Sequence, residues 1–213
     1  MRPCSLSPLL LFAALAAAPL APAWAANASY SIDPVHTRVA FLISHAGFSR
    51  AIGTFSGSHG QLDFDPDDWA SAKVDVHVPI ASLDLGDSKW QDKILDSTFF
   101  DVKKFPEAHF VATKVEKTGD AQATITGDLT LHGVTRPITL DAKLNALQRH
   151  PLTFKKTAGF SATATLSRKD FGIDSWESVV ADQVQLIIEV EASRTHGDHS
   201  SDKDSEHADP QSR

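Results

Sequence analysis

The sequence predicts an all-β fold of about eight antiparallel strands wrapped round one dry interior. Three observations carry this. Apolar residues recur with period two through most of the chain. The residues between them are polar, so each strand has one wet face, which sheets buried on both sides do not show. Short segments with Gly, Pro and Asn or Asp separate most of the rows, as in His132-Gly133-Val134-Thr135-Arg136-Pro137, and these are turn-forming residues.

The rows follow one another along the chain. Val39, Phe41 and Ile43 share a face, and His45 closes the row. Val74, Val76, Val78 and Ile80 stand opposite Lys73, Asp75 and His77. Ile125, Leu129 and Leu131 alternate with threonines and Asp128, and Ile138, Leu140, Ala142 and Leu144 alternate with Thr139, Asp141, Lys143 and Asn145. Phe160, Ala162, Ala164 and Leu166 form another row, and Val184, Leu186, Ile188 and Val190 the last. Strands dry on one side only close into a barrel or pack as a sandwich. One stretch departs from the pattern: Asp87 to Leu95 reads as a short helix with an Asp/Ser cap, and Ser97 is placed to cap a further turn through Val102.

Both ends lie outside this domain. Arg2, the apolar run Leu9 to Ala18 and the A-x-A site Ala23-Trp24-Ala25 make a secretory leader, cut after Ala25. The run falls short of the roughly 20 apolar residues needed to span a bilayer, so the mature chain is expected to have no transmembrane segment. The sole cysteine, Cys4, leaves with the leader, and the exported domain must hold by its core alone. The leader also takes Arg2, so the mature chain is more negative by a single charge than the −7 of the whole sequence. Such a balance argues against a nucleic-acid partner and against docking on anionic lipid. From Ser193 to Arg213 no bulky apolar residue occurs, so that stretch is expected to be a disordered polar tail. The domain then spans 26–192.

Catalytic and cofactor motifs are absent. Asp63 to Asp68 begins like a calcium loop but has Asp68 where the glycine belongs and Val74 where the glutamate belongs, so it reads as an acidic turn. Gly53-Thr54-Phe55-Ser56-Gly57 displaces the serine of a nucleophile elbow by one. Neither a C-x-x-C-H haem motif nor a Gly-rich phosphate loop occurs. Histidines are scattered, with His196, His199 and His207 in the tail, and no spacing among them predicts a metal site. The interior itself mixes bulky residues with Ala142, Ala162, Ala164 and Gly127. Small barrels are either filled by side chains or hold one ligand, and both remain open at this point.

Several segments resemble the YceI family. Tyr30-Ser31-Ile32-Asp33-Pro34-Val35-His36-Thr37-Arg38-Val39-Ala40-Phe41 is similar to its opening motif, followed by His45-Ala46-Gly47-Phe48 and Gly53-Thr54-Phe55. Phe99-Phe100-Asp101-Val102 with Phe105-Pro106 and Phe110 resembles its central signature. Gly127 to Pro137 resembles its G-x-L-T-x-x-G-V-T-x-P hairpin, and Arg168-Lys169-Asp170-Phe171-Gly172 its R-x-D-F-G turn. The match is colinear from Tyr30 to Ala192. The resemblance implies an extended lipocalin-like antiparallel barrel in the periplasm, binding a polyisoprenoid or similar long-chain amphiphile, with no enzymatic activity and no cofactor. One departure bears on the ligand. Where many relatives carry an Arg and a His in the helical stretch, this chain has Trp90-Gln91-Asp92-Lys93-Ile94-Leu95, which favours a quinone or neutral head over a pyrophosphate.

The expected function is therefore carriage or storage of an isoprenoid lipid. Wall candidates are Phe41, Ile43, Val76, Phe110, Ile125, Leu129, Leu140, Leu166, Leu186 and Ile188; rim candidates are His45, Trp90, Asp92 and Arg168. A ligand-free packed barrel serving as a structural or stress-response interaction domain is the alternative. An enzyme acting on the lipid would need a paired acid and base, which the sequence does not supply. Monomer and homodimer are both left open. N-terminal sequencing of exported protein is expected to begin at Ala26; exported material beginning at Met1 would overturn the leader assignment.

Overall fold

The computed structural model describes residues 27–195. The expected leader, 1–25, and the stretch of the expected tail after Thr195 lie outside them. The strands are β1 (Ala28–Ile32), β2 (Arg38–His45), β3 (Ser49–Phe55), β4 (His59–Phe64), β5 (Lys73–Pro79), β6 (Glu107–Gly119), β7 (Gln122–Leu131), β8 (Val134–Arg149), β9 (Lys156–Ser167) and β10 (Val180–Arg194). One helix, α1 (Ser88–Leu95), lies between β5 and β6. The strand order is β1-β4-β5-β6-β7-β8-β9-β10-β2-β3, and β1 also pairs with β10. That last pairing closes the sheet on itself, which decides for a barrel and against a sandwich.

The ten strand segments make an eight-strand barrel because two strands are broken. β1 and β2 share one edge of β10: β1 pairs from Tyr30↔Arg194 to Ile32↔Ala192, and β2 takes over at Arg38↔Glu189. β4 continues from β3 in the same way, pairing with β1 while β3 pairs with β2. Between β1 and β2 the chain must leave the ladder and return to it. Asp33 N–H donates to the Glu191 carbonyl at 2.8 Å, and Thr37 N–H donates to the Asp33 carbonyl at 3.0 Å. The Asp33 carboxylate accepts from the Val35 and His36 amides at 2.8 and 3.2 Å and meets the His36 ring at 2.9 Å. Burial alone would raise the Asp33 pKa, but these bonds outweigh it and hold the carboxyl below its ordinary value. Glu191 N–H, left without a strand partner at the break, donates to the Thr37 hydroxyl at 3.3 Å.

The two ends of the barrel differ. At one, Tyr30, Phe64, Trp69 and Ala192 belong to a buried apolar cluster. Phe64 sits edge-on to Trp69 and to Phe160, with centroids 5.1 and 5.4 Å apart. At the other, β3 has no further strand beside it among the described residues, only the single bridge Thr54↔Asp84. The segment from Ile80 to Phe105, with α1, covers that gap. α1 starts as its sequence predicts: the Asp87 side chain accepts from Trp90 N–H at 2.8 Å. The next turn is capped differently. Asp96, not Ser97, accepts from the Thr98 amide at 2.7 Å, because Asp96 is the residue that leaves the helix in extended conformation with its carboxylate free to turn back.

One boundary also shifts. Ser193 to Thr195, expected at the start of the tail, are tied to the sheet: Ser193 pairs with Ser31 and Thr157, Arg194 pairs with Tyr30, and Thr195 N–H donates to the Ser29 carbonyl. Ladder bonds are backbone bonds and need no apolar side chain, so composition alone misplaces the edge. Thr37 is 1% exposed, and Thr37→Val would leave the Glu191 amide buried without an acceptor. The expected cost is about 1–3 kcal/mol, read as a lower denaturation midpoint at unchanged slope.

Candidate ligand cavity

Period two turns one face of every barrel strand inward, and the inward residues do not fill the space. A cavity of about 320 Å³ lies in the interior, lined by residues of all ten strands and of α1. All ten wall residues read from the sequence face it. Several of them, including Phe41, Phe110, Ile125 and Ile188, are only half-buried, although their strands' opposite faces are polar. An inward apolar side chain stays accessible only if it borders open space.

The sizes of neighbouring residues explain why the bore stays open. Along one row, Ile188 pairs with Ala162, Ala162 with Ala142, and Ala142 with Ala123. Ala142 and Ala162, side by side on the cavity wall, leave volume that larger residues would take, while Ala123 belongs to the packed cluster at the closed end. The phenylalanines lie flat against the wall instead of crossing it. Phe41 is paired with Gly53, and a Cβ on Gly53 would meet the Phe41 ring at 2.4 Å and Leu85 at 2.8 Å. A Cβ on Gly127 would likewise meet the Phe110 ring at 2.4 Å.

Polar groups gather at the α1 end. His45 closes the β2 row beside Ser44, and its ring stands edge-on to Trp90, centroids 6.2 Å apart. Trp176, from the loop between β9 and β10, packs edge-on against Phe99 at 5.6 Å. Arg168 is 5% exposed. Its guanidinium donates to the carbonyls of Ala181, Ile173 and Val180 at 2.9, 2.6 and 2.8 Å. Burial lowers its pKa from the ordinary arginine value, against the opposing pull of Asp182, Glu177 and Asp174. Arg168 thus straps the β9–β10 loop across the mouth while two of its five N–H donors remain. Among the rim candidates, His45, Trp90 and Arg168 line the cavity and Asp92 does not. Asp92 is exposed because helical phase turns Trp90 and Ile94, four residues apart, toward the bore and the residue midway between them outward.

Sequence reasoning passed over Trp176, Thr37 and Ser58, all of which border the cavity. Trp176 stands alone in a polar loop, with no periodicity to reveal it. Ser58 sits at the break between β3 and β4. It is fully buried, and its hydroxyl has no hydrogen-bond partner among the described residues. No pattern marks a strand break in advance.

Known proteins share this architecture and its motifs. A model of the YceI-like domain matches residues 30–192. The chain belongs to the YceI family. A UPF0312 protein of Pseudomonas putida is 40% identical over 184 residues, which cover 84% of this chain and 95% of that one. The crystal structure of a Campylobacter jejuni YceI protein superposes with a TM-score of 0.65 at 30% identity, covering 70% of this chain and 88% of its own. A polyisoprenoid binding domain from Saccharophagus degradans, implicated in plant cell wall breakdown, shares the fold, with a TM-score of 0.60 at 12% identity over 79% of this chain and 99% of its own. Three of the motifs that resemble YceI have plain structural roles. The Asp33–Thr37 stretch makes the strand break, Gly127–Pro137 carries the β7–β8 hairpin, and the Arg168 turn straps the mouth.

The glycine–phenylalanine pairing is open to a direct test. Gly53→Ala is expected to destabilise by about 1–3 kcal/mol through overpacking. In a Phe41→Ala background the same change should cost much less, and the difference between the two is the coupling that a double-mutant cycle measures.

Proposed function

We propose that this protein is a periplasmic carrier or store for a long-chain isoprenoid-type amphiphile, a quinone or a polyprenyl compound with a neutral head, taken up tail-first into the barrel. The observation that carries the reading is the apolar bore with half-accessible walls and with Ser44, His45 and Arg168 at its α1 end. Its volume lies at the lower end of the about 300–1,000 Å³ typical of small-molecule sites. Each CH₂ moved from water to such a wall is favourable by about 0.8 kcal/mol, so the tail supplies affinity and the mouth selects the head. Ser44, His45, Trp90, Trp176 and the spare donors of Arg168 suit carbonyl and hydroxyl groups. Ser58 adds one unmet hydroxyl along the dry wall. The Saccharophagus degradans domain of the same fold, described as polyisoprenoid binding, supports the ligand class. The leader expected from the sequence supports the periplasm, and no helix among the described residues is long and apolar enough to cross a membrane.

The test is to plug the bore. Leu129 is packed within the cluster around Phe55, Ile80 and Leu166, so enlarging it would strain neighbours. Ile188 is half-buried beside the small side chains of Ala142 and Ala162 and is the better position. Ile188→Phe is expected to leave the midpoint of thermal unfolding of lipid-free protein nearly unchanged and to abolish retention of lipid, read by native mass spectrometry of detergent-free protein. A marked loss of stability, with no lipid on the parent protein, would mean that the interior is a core and nothing more.

A further inference from the structure

Closure of the sheet assembles three histidines that the sequence scatters. β4, β5 and β6 are neighbours, and their registers set His59 opposite His77 and His77 opposite His109. Adjacent strands lie about 4.8 Å apart, so the imidazoles form a row across three strands. His59 and His77 stack with centroids 5.4 Å apart and planes at 14°; His77 and His109 stack at 4.0 Å and 8°. The row lies on the outer wall, because Val76, Val78, Ala108 and Phe110, one position away, line the bore. Two carboxylates share that outer face, Asp75 and Glu107, each two residues before a histidine of its strand.

Their donor atoms lie within the reach of one ion. Asp75 Oδ1 lies 2.8 Å from His109 Nε2 and 3.7 Å from His77 Nε2. A tetrahedral ion with bonds of about 2.0–2.1 Å holds its ligand atoms about 3.3 Å apart, and these two separations bracket that value. The three donors all lie within 4.8 Å of one another. On the other flank, Glu107 Oε2 is 3.2 Å from His77 Nδ1. A carboxylate on the second ring nitrogen is the usual orienting partner of a metal-bound imidazole. Without an ion, the shortest of these contacts is a hydrogen bond between the His109 ring and the Asp75 carboxylate, which a bound cation would replace.

We infer that Asp75, His77 and His109 form a surface site for a divalent transition-metal ion of zinc's class, with Glu107 orienting His77. Imidazole with carboxylate suits zinc, copper or nickel, whereas magnesium and calcium take oxygen ligands. To converge on one ion, the rings of His77 and His109 turn out of their stack. Their side chains are 34% and 35% exposed, so that turn occurs at the surface. Water takes the fourth position. The site is separate from the bore and stands or falls without it.

The experiment titrates the full mature chain with Zn²⁺ by calorimetry and with Co²⁺ by visible absorption, which reports inner-sphere tetrahedral coordination. The tail histidines are the competing chelators, so a triple variant, His196→Asn with His199→Asn and His207→Asn, is titrated alongside. About one ion is expected to bind with the cobalt signature and to persist in the tail variant. His77→Asn and His109→Asn are each expected to weaken it by at least about tenfold, with thermal unfolding of the metal-free forms showing that each is folded. Absence of binding would overturn the inference, as would binding that vanishes with the tail histidines or survives both barrel variants.

Discussion

The architecture depends on one shared edge. β10 offers a single free side beyond β9, and two short strands divide it: β1 holds one end and β2 the other. Where β1 pairs, β4 follows it and the ring closes through β5, so that end is tight enough for Tyr30, Phe64 and Trp69 to plug. Where β2 pairs, β3 follows it and meets no further strand among the described residues. The break at Asp33–Thr37 therefore makes a barrel with one sealed end and one splayed end. The splayed end needs a cover that is not a strand, and α1 with its flanking turns supplies it. The mouth, the helix and the polar groups around them all follow from that division.

An open bore is costly to keep, because every unfilled space forfeits dispersion contacts. Two devices limit the loss here. Alanines at adjacent positions of β8 and β9 make the space, and glycines beneath Phe41 and Phe110 let the rings lie along the wall. The rings thus cover backbone that a guest would otherwise touch, and the surface offered to a guest is nearly all carbon. A long apolar chain would gain affinity there from area, with directional groups at the mouth and the single Ser58 hydroxyl along the wall.

Much of this was legible in the residues. Period two assigns inward and outward faces with no knowledge of topology, which is why all ten wall residues read from the rows face the cavity. Asp87 announces the start of α1 because capping is a local matter. The failures share a cause of the opposite kind. Asp92 needed the phase of the helix relative to the mouth. Ser58 and Thr37 needed the positions of two strand breaks. Ser193 and Arg194 remain in the sheet through backbone bonds that composition does not register. Trp176 reaches the mouth because Arg168 fastens the loop that carries it, a tertiary bond with no sequence period. Whether the rows close as a barrel or stack as a sandwich depends on the β1–β10 pairing between the two ends of the domain, and only the resemblance to YceI anticipated it.

The same alternation has a further consequence on β5 and β6. Register in a barrel is strongly fixed because a slip of one residue would turn the whole inner row outward. The pairing that sets Val76 against Phe110 and Val78 against Ala108 is held by the inner face. It sets His77 against His109 at the same time, with no contribution needed from the histidines. Outer residues on these strands are therefore presented on a frame whose rigidity is supplied from within, and a cluster there can hold a fixed geometry without a core of its own. That is the condition a surface metal site must meet: ligands on strands, positioned by packing behind them, with side chains free to adjust in front.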